Sequence, residues 1–158
     1  MSNSPSNSAD DNQLRKVHRM INGSVTHPDV LAALARAGHT SKVLIADGHF
    51  PAATLLSPQV PRVFLNYAPG LLSVSDVLGP LLEAVEVQDV VAATFEDGSK
   101  PPIWEDYLRL LPDHLHLGEV KGSELTTAFT DQELGLAILT GELRAASCIV
   151  LTLGLRTS

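Results

Sequence analysis

Along this chain the apolar side chains gather into short runs and helical stripes, separated by glycine, proline and acidic turns, and the spacings predict alternating strands and helices. Val43-Leu44-Ile45-Ala46 is an apolar run too short for a helix, bounded by Gly38 before it and by Gly48 and Pro51 after it. It predicts a strand covered on both faces. Upstream, Thr26-His27-Pro28-Asp29 has the residues of a helix start: Thr26 or His27 in the cap region, Pro28 in the first turn, Asp29 against the positive helix end. Val30, Leu31, Leu34 and Ala35 continue it as an apolar stripe to Gly38.

Residues 51–61 hold too many small residues and prolines for a regular element, and they are expected to wrap the end of a sheet. Residues 62–67 predict a second strand. Residues 73–87 predict a helix with Ser75 or Asp76 near its start, and the β-branched run over 87–95 a third strand. A helix over 102–111 would put Trp104, Tyr107, Leu108 and Leu111 on one side, as core rather than as a stacking platform. His114 and His116 alternate as on one face of a strand, solvated rather than metal-binding without a third ligand. A further helix is predicted over 129–139, beginning near Thr130 or Asp131, and a last strand over 148–153. The fold class is α/β: a three-layer α/β/α single domain with a central, mostly parallel sheet and right-handed crossovers.

Composition narrows the picture at its edges. Residues 1–13 are rich in Ser, Asn and Asp, and Arg15, Lys16, His18 and Arg19 add a small basic cluster. Residues 1–19 therefore read as a disordered extension and 20–158 as the folded domain. A chain of 158 residues, 44% hydrophobic, is enough for one domain with a substantial core. A net charge of −7 and only 4% aromatics argue against nucleic acid as a partner. No apolar run approaches the ~20 residues of a membrane span, and the N-terminus lacks the apolar segment of a secretory signal. Cys148 is the lone cysteine, with no zinc-like Cys/His spacing and no glycine-rich phosphate loop, so no metal is expected and a reducing cytoplasm is the simplest setting.

Chemistry concentrates at the two ends of the first strand. His39 precedes it, Asp47 leaves it, and His49 follows two residues on, beyond the carboxyl end where open α/β sheets bind ligands. A histidine can give or take a proton near neutral pH and a carboxylate can orient it, so these three are candidate acid–base residues. Each also has a structural reading: Asp47-Gly48 as a turn pair, and His39 after Gly38 as a helix exit.

Several segments together resemble the L-fucose mutarotase and D-ribose pyranase family of sugar mutarotases, closer to the fucose branch. They are His27-Pro28-Asp29-Val30-Leu31 with Ala37-Gly38-His39, Ile45-Ala46-Asp47-Gly48-His49-Phe50-Pro51-Ala52, Ser57-Pro58-Gln59-Val60-Pro61-Arg62, and Leu72 to Leu78. Pro102-Ile103-Trp104-Glu105-Asp106-Tyr107 and Ala137-Ile138-Leu139-Thr140-Gly141-Glu142 complete the set. The resemblance implies interconversion of sugar anomers or ring forms without a cofactor. It also implies a decamer of two stacked five-membered rings, with a monosaccharide held near subunit interfaces. The family's histidine and aspartate map onto His39 and Asp47, and His49 matches the extra histidine of the fucose branch. Arg62 lies in a carrying segment and counts among the substrate-binding candidates. The family pattern departs after Gly141-Glu142: Ala146 and Cys148 stand where it has a sugar-contacting tyrosine and asparagine. Arg144 would then reach hydroxyls in the vacated space or remain a solvated turn residue, and Cys148 reads as a small core residue rather than a nucleophile. A sugar-binding or scaffold protein without catalysis is one alternative reading, and a pocket opened at Ala146 and Cys148 to a different ligand, such as a modified or larger sugar, is another.

Overall fold

The computed structural model describes residues 20–158; the extension expected over residues 1–19 lies outside the described residues. Helix α1 spans Pro28–Arg36, and the His27 side chain caps it by accepting from the Val30 backbone. Strand β1, Lys42–Ala46, comes next, as expected. Residues 51–61 are not wholly irregular, because Ala52–Leu55 forms one short helical turn, α2. Strand β2 is Arg62–Phe64, shorter than predicted, and α3 is Val74–Ala84. The cap of α3 is Ser73, ahead of Ser75 and Asp76, with a reciprocal capping box to Asp76. Then come β3 (Val87–Thr94), α4 (Trp104–Leu110), β4 (Leu117–Lys121), a 3-10 helix (Gly122–Ala128), β5 (Leu134–Leu139) and β6 (Ile149–Leu153).

Two expectations fail outright. The predicted helix over 129–139 is a turn and then β5: Thr130 and Glu133 exchange the hydrogen bonds of a helix-starting capping box, yet the chain then extends. The six-residue run Leu134–Leu139 is long enough for a strand and short for a helix, and pairing between β1 and β2 decides it. His114 and His116 lie in the turn before β4 rather than on a strand face. Within α4, Trp104 and Tyr107 are buried as expected, whereas Leu108 faces solvent.

The six strands form one sheet in the order β2-β5-β1-β6-β3-β4. Pairings β2–β5, β5–β1 and β3–β4 are parallel, and β6 runs antiparallel to both β1 and β3. Alternation along β1 sends Val43 and Ile45 to one face, where α1, α3 and α4 pack, and Leu44 and Ala46 to the other, under α2 and the 3-10 helix. The result is the expected three-layer α/β/α arrangement. Ile45, Leu44, Leu136 and Ile138 are fully enclosed, each worth roughly 1.5–3 kcal/mol of transfer free energy.

Candidate active site

Pairing brings distant segments to one end of β1. In the parallel neighbour, Ala46 is level with Leu139, so Thr140 and Glu142 emerge beside Asp47 and Gly48. In the antiparallel neighbour, Ile45 is level with Ile149, so Cys148 approaches from the opposite chain direction. Thr140 ties its backbone N–H and its hydroxyl to the Ala46 carbonyl at 3.0 and 2.7 Å. Gly48 donates to the Glu142 carbonyl at 2.8 Å. At Gly141 a Cβ would collide with the carbonyl oxygens of Ala68 and Leu71, so only glycine lets the two loops close on one another.

Asp47 is buried, and backbone donors hold both carboxylate oxygens: the His49 N–H on Oδ1 and the Ser147 N–H on Oδ2, each at 3.0 Å. The Asp47 N–H in turn donates to Cys148 Sγ at 3.4 Å. The carbonyl of Ser147 accepts from the hydroxyl of Tyr107, so that one residue is gripped from both sides. Burial above all, with the neighbouring Cys148 and Glu142 groups, pushes the Tyr107 phenol well up, which keeps it a donor. Burial first, and then the Asp47 charge, likewise raises the Cys148 thiol well above its usual range. A protonated thiol is no nucleophile, in keeping with the reading of Cys148 as a small core side chain.

His49 is exposed, and its Nε2 lies 2.9 Å from the Leu143 carbonyl. A carbonyl only accepts, so Nε2 carries the proton and Nδ1 is the acceptor nitrogen of the neutral ring. Asp47, His49, Ala146 and Cys148 line one cleft of about 400 Å³. Sequence reasoning missed the other walls: Leu55 of α2, Ala93 of β3, and Ser123, Leu125 and Thr126 of the 3-10 helix. No local motif marks them, because strand order alone brings them there.

The remaining sequence candidates go elsewhere. His39 lies at the opposite end of β1, where Thr40 bonds to Leu153 and the imidazole Nε2 donates to Gln88 Oε1 at 2.9 Å. The five residues of β1 alone put roughly 13 Å between the two ends. His39 lines a separate cleft of about 620 Å³ with Glu83, Glu86 and Arg156. Arg62 donates to the carbonyls of Ala52, Ser57 and Val60, bracing residues 52–60, while it also lines a second, 290 Å³ cleft that shares Asp47. Arg144 does not reach the 400 Å³ cleft: it makes paired contacts of 3.0 Å to Glu142 and of 3.3 Å to Asp106. Burial works to raise the Glu142 and Asp106 carboxyls, but the hydrogen bonds they accept, with Arg144 prominent among the donors, outweigh it and hold both below the usual carboxylate range. Among the described residues, no three His, Cys, Asp or Glu side chains converge as metal ligands would.

A family model described as the RbsD / FucU transport protein family matches residues 20–156. A fucose mutarotase from Danio rerio is 31% identical over 125 residues, 75% of this chain and 82% of that one. D-ribose pyranase 1 from Rubrobacter xylanophilus is 29% identical over 136 residues, 85% of this chain and 98% of that one. In fold, the chain is similar to Bacillus subtilis RbsD complexed with D-ribose, with a TM-score of 0.74 and 23% identity over 88% of this chain and all of the other.

Proposed function

Because this chain belongs to the RbsD/FucU family, we propose that it is a sugar mutarotase, opening and re-closing the cyclic hemiacetal of L-fucose or a related monosaccharide. One observation carries the reading: the buried Asp47 carboxylate and the imidazole of His49, its tautomer set by Leu143, share one cleft at the carboxyl end of β1. In this reaction a base removes the proton of the anomeric hydroxyl, the anomeric carbon becomes a carbonyl, and the bond to the ring oxygen breaks. The ring oxygen keeps that electron pair and takes a proton from an acid. Rotation of the carbonyl and reversal of the steps returns the other anomer, so a positioned acid and base suffice, and no cofactor is invoked.

His39 joins this reading only between subunits. It lies at the far end of β1 from Asp47, so the His39 of one copy would serve the Asp47 cleft of another within a decamer of two five-membered rings. A reducing, cytoplasmic setting suits the free thiol of Cys148. The replacements at Ala146 and Cys148 favour a second reading, a sugar-binding member without catalysis.

Saturation-transfer NMR on L-fucose and D-ribose tests the activity, with accelerated anomer exchange expected. No acceleration with any free sugar sinks it. Light scattering should give a decamer. Assemblies mixed from His39→Ala and Asp47→Asn subunits, each inactive alone, should recover part of the activity; no recovery would remove the shared site.

A further inference from the structure

Most of the cleft beside Asp47 offers a sugar no hydrogen bond. Phe50, Leu55, Ala93, Leu125, Ala146 and Cys148 form much of its lining, with polar side chains from Asp47, His49, Ser123 and Thr126. Ala146 and Cys148 line this cleft together with the acid. The residue between them, Ser147, donates its N–H to Asp47 Oδ2 at 3.0 Å, and Cys148 Sγ accepts from Asp47 N–H at 3.4 Å. A methyl and a thiol therefore share the cleft with the proposed acid–base group. Ala146 has φ +53°, and Ser147, which accepts from the Tyr107 hydroxyl and donates to the Asp47 carboxylate, fixes the backbone on its C-terminal side.

A ring hydroxyl turned toward Ala146 and Cys148 would exchange water for a methyl and a weakly bonding thiol whose sulfur already accepts from Asp47 N–H, a loss that sites of this kind use to discriminate between substrates. A hydrocarbon group turned the same way would be favoured by its own burial. The side chains there are small, so a cleft of about 400 Å³ has room for more than a bare ring. We infer that the substrate is a reducing monosaccharide with one non-anomeric ring hydroxyl capped as an O-methyl ether, the cap lodged against Ala146 and Cys148. The inference rests on the ring-opening reading, which requires only that the anomeric hydroxyl stay free.

The test sets L-fucose beside its 2-, 3- and 4-O-methyl ethers. Affinity is measured by calorimetry and anomer exchange by saturation-transfer NMR, on the full chain. One ether is expected to bind about tenfold tighter than L-fucose or better. In the double variant Ala146→Asn, Cys148→Ser that preference should fall to parity, since asparagine tolerates the positive φ and serine is nearly isosteric with cysteine. Parity among the sugars in the unaltered protein overturns the inference, as does a preference that survives the double substitution. Tighter binding of an ether without exchange upholds the recognition and overturns the catalytic reading. Exchange of L-fucose with no gain for any ether does the reverse, and absence of binding by all four sugars overturns both. Should the double variant fail to fold, the comparison of sugars in the unaltered protein still decides the matter.

Discussion

The two ends of β1 are built to different standards. At the Asp47 end a buried carboxylate accepts two backbone N–H groups, and three loops close on it through Gly48, Gly141 and Ser147. At the His39 end an exposed imidazole touches one glutamine side chain beside a broad cleft. The first end is preorganised within a single chain, and the second is left open. Within the proposed function the contrast assigns roles: one end holds the sugar in a geometry set by folding, and the other becomes useful only when a second subunit covers it.

Substituting Asp47 by Ala should break the comparison most severely. It strips the partners from the Ser147 and His49 N–H groups, and anomer exchange should fall by about 10²–10⁴-fold in the NMR assay, with a lower melting temperature as well. Next comes Tyr107→Phe, which leaves the buried Ser147 carbonyl unpaired and should cost about 1–3 kcal/mol in denaturant unfolding. Its effect on exchange should fall mainly on sugar affinity, as residues 146–148 lose their fixed position.

A smaller effect is expected at low pH. Glu142 and Asp106 have folded-state pKa values below their unfolded ones, so their stabilisation is complete above the unfolded carboxylate range, about 4, and disappears as pH falls through the lower folded values. Arg144→Met should move that loss of stability to higher pH, as measured by circular dichroism during acid titration. A midpoint unchanged by the substitution would contradict the role given to Arg144. The least effect on stability should come from His39→Ala, within about 0.5 kcal/mol, because an exposed side chain with one hydrogen bond contributes little to folding. The same variant should nonetheless lose exchange activity, which separates the two ends of the strand as sharply as a single substitution can.

The contrast also governs how much of the molecule was legible in its sequence. The strand at residues 43–46 and the helix capped by His27 could be read locally, because glycine, proline and apolar spacing all agreed. Leu134–Leu139 could not: Thr130 and Glu133 form a genuine capping box, and only the neighbouring strands β1 and β2 hold the residues after it in a strand. Asp47 and His49 were visible as candidates from their place after an apolar run. Their contact with residues 147 and 148, about a hundred positions away, depends on strand order, which no local spacing encodes. Tyr107 looked like core and is core, but its hydroxyl also grips Ser147.

Strand β6 follows the other five described strands in sequence, yet it lies in the middle of the sheet, antiparallel to β1 on one side and to β3 on the other. During synthesis, then, β3 can pair with β4 once residue 121 has emerged, whereas β1 and β2 wait for β5 at residues 134–139, and no strand pairing joins the two parts of the sheet until β6 arrives. Until that moment β1 and β3 present bare edges open to wrong partners. The cleft shares the delay, since Ala146 and Cys148 enter just ahead of the closing strand, so a nascent chain would close this cleft and complete its sheet in the same event.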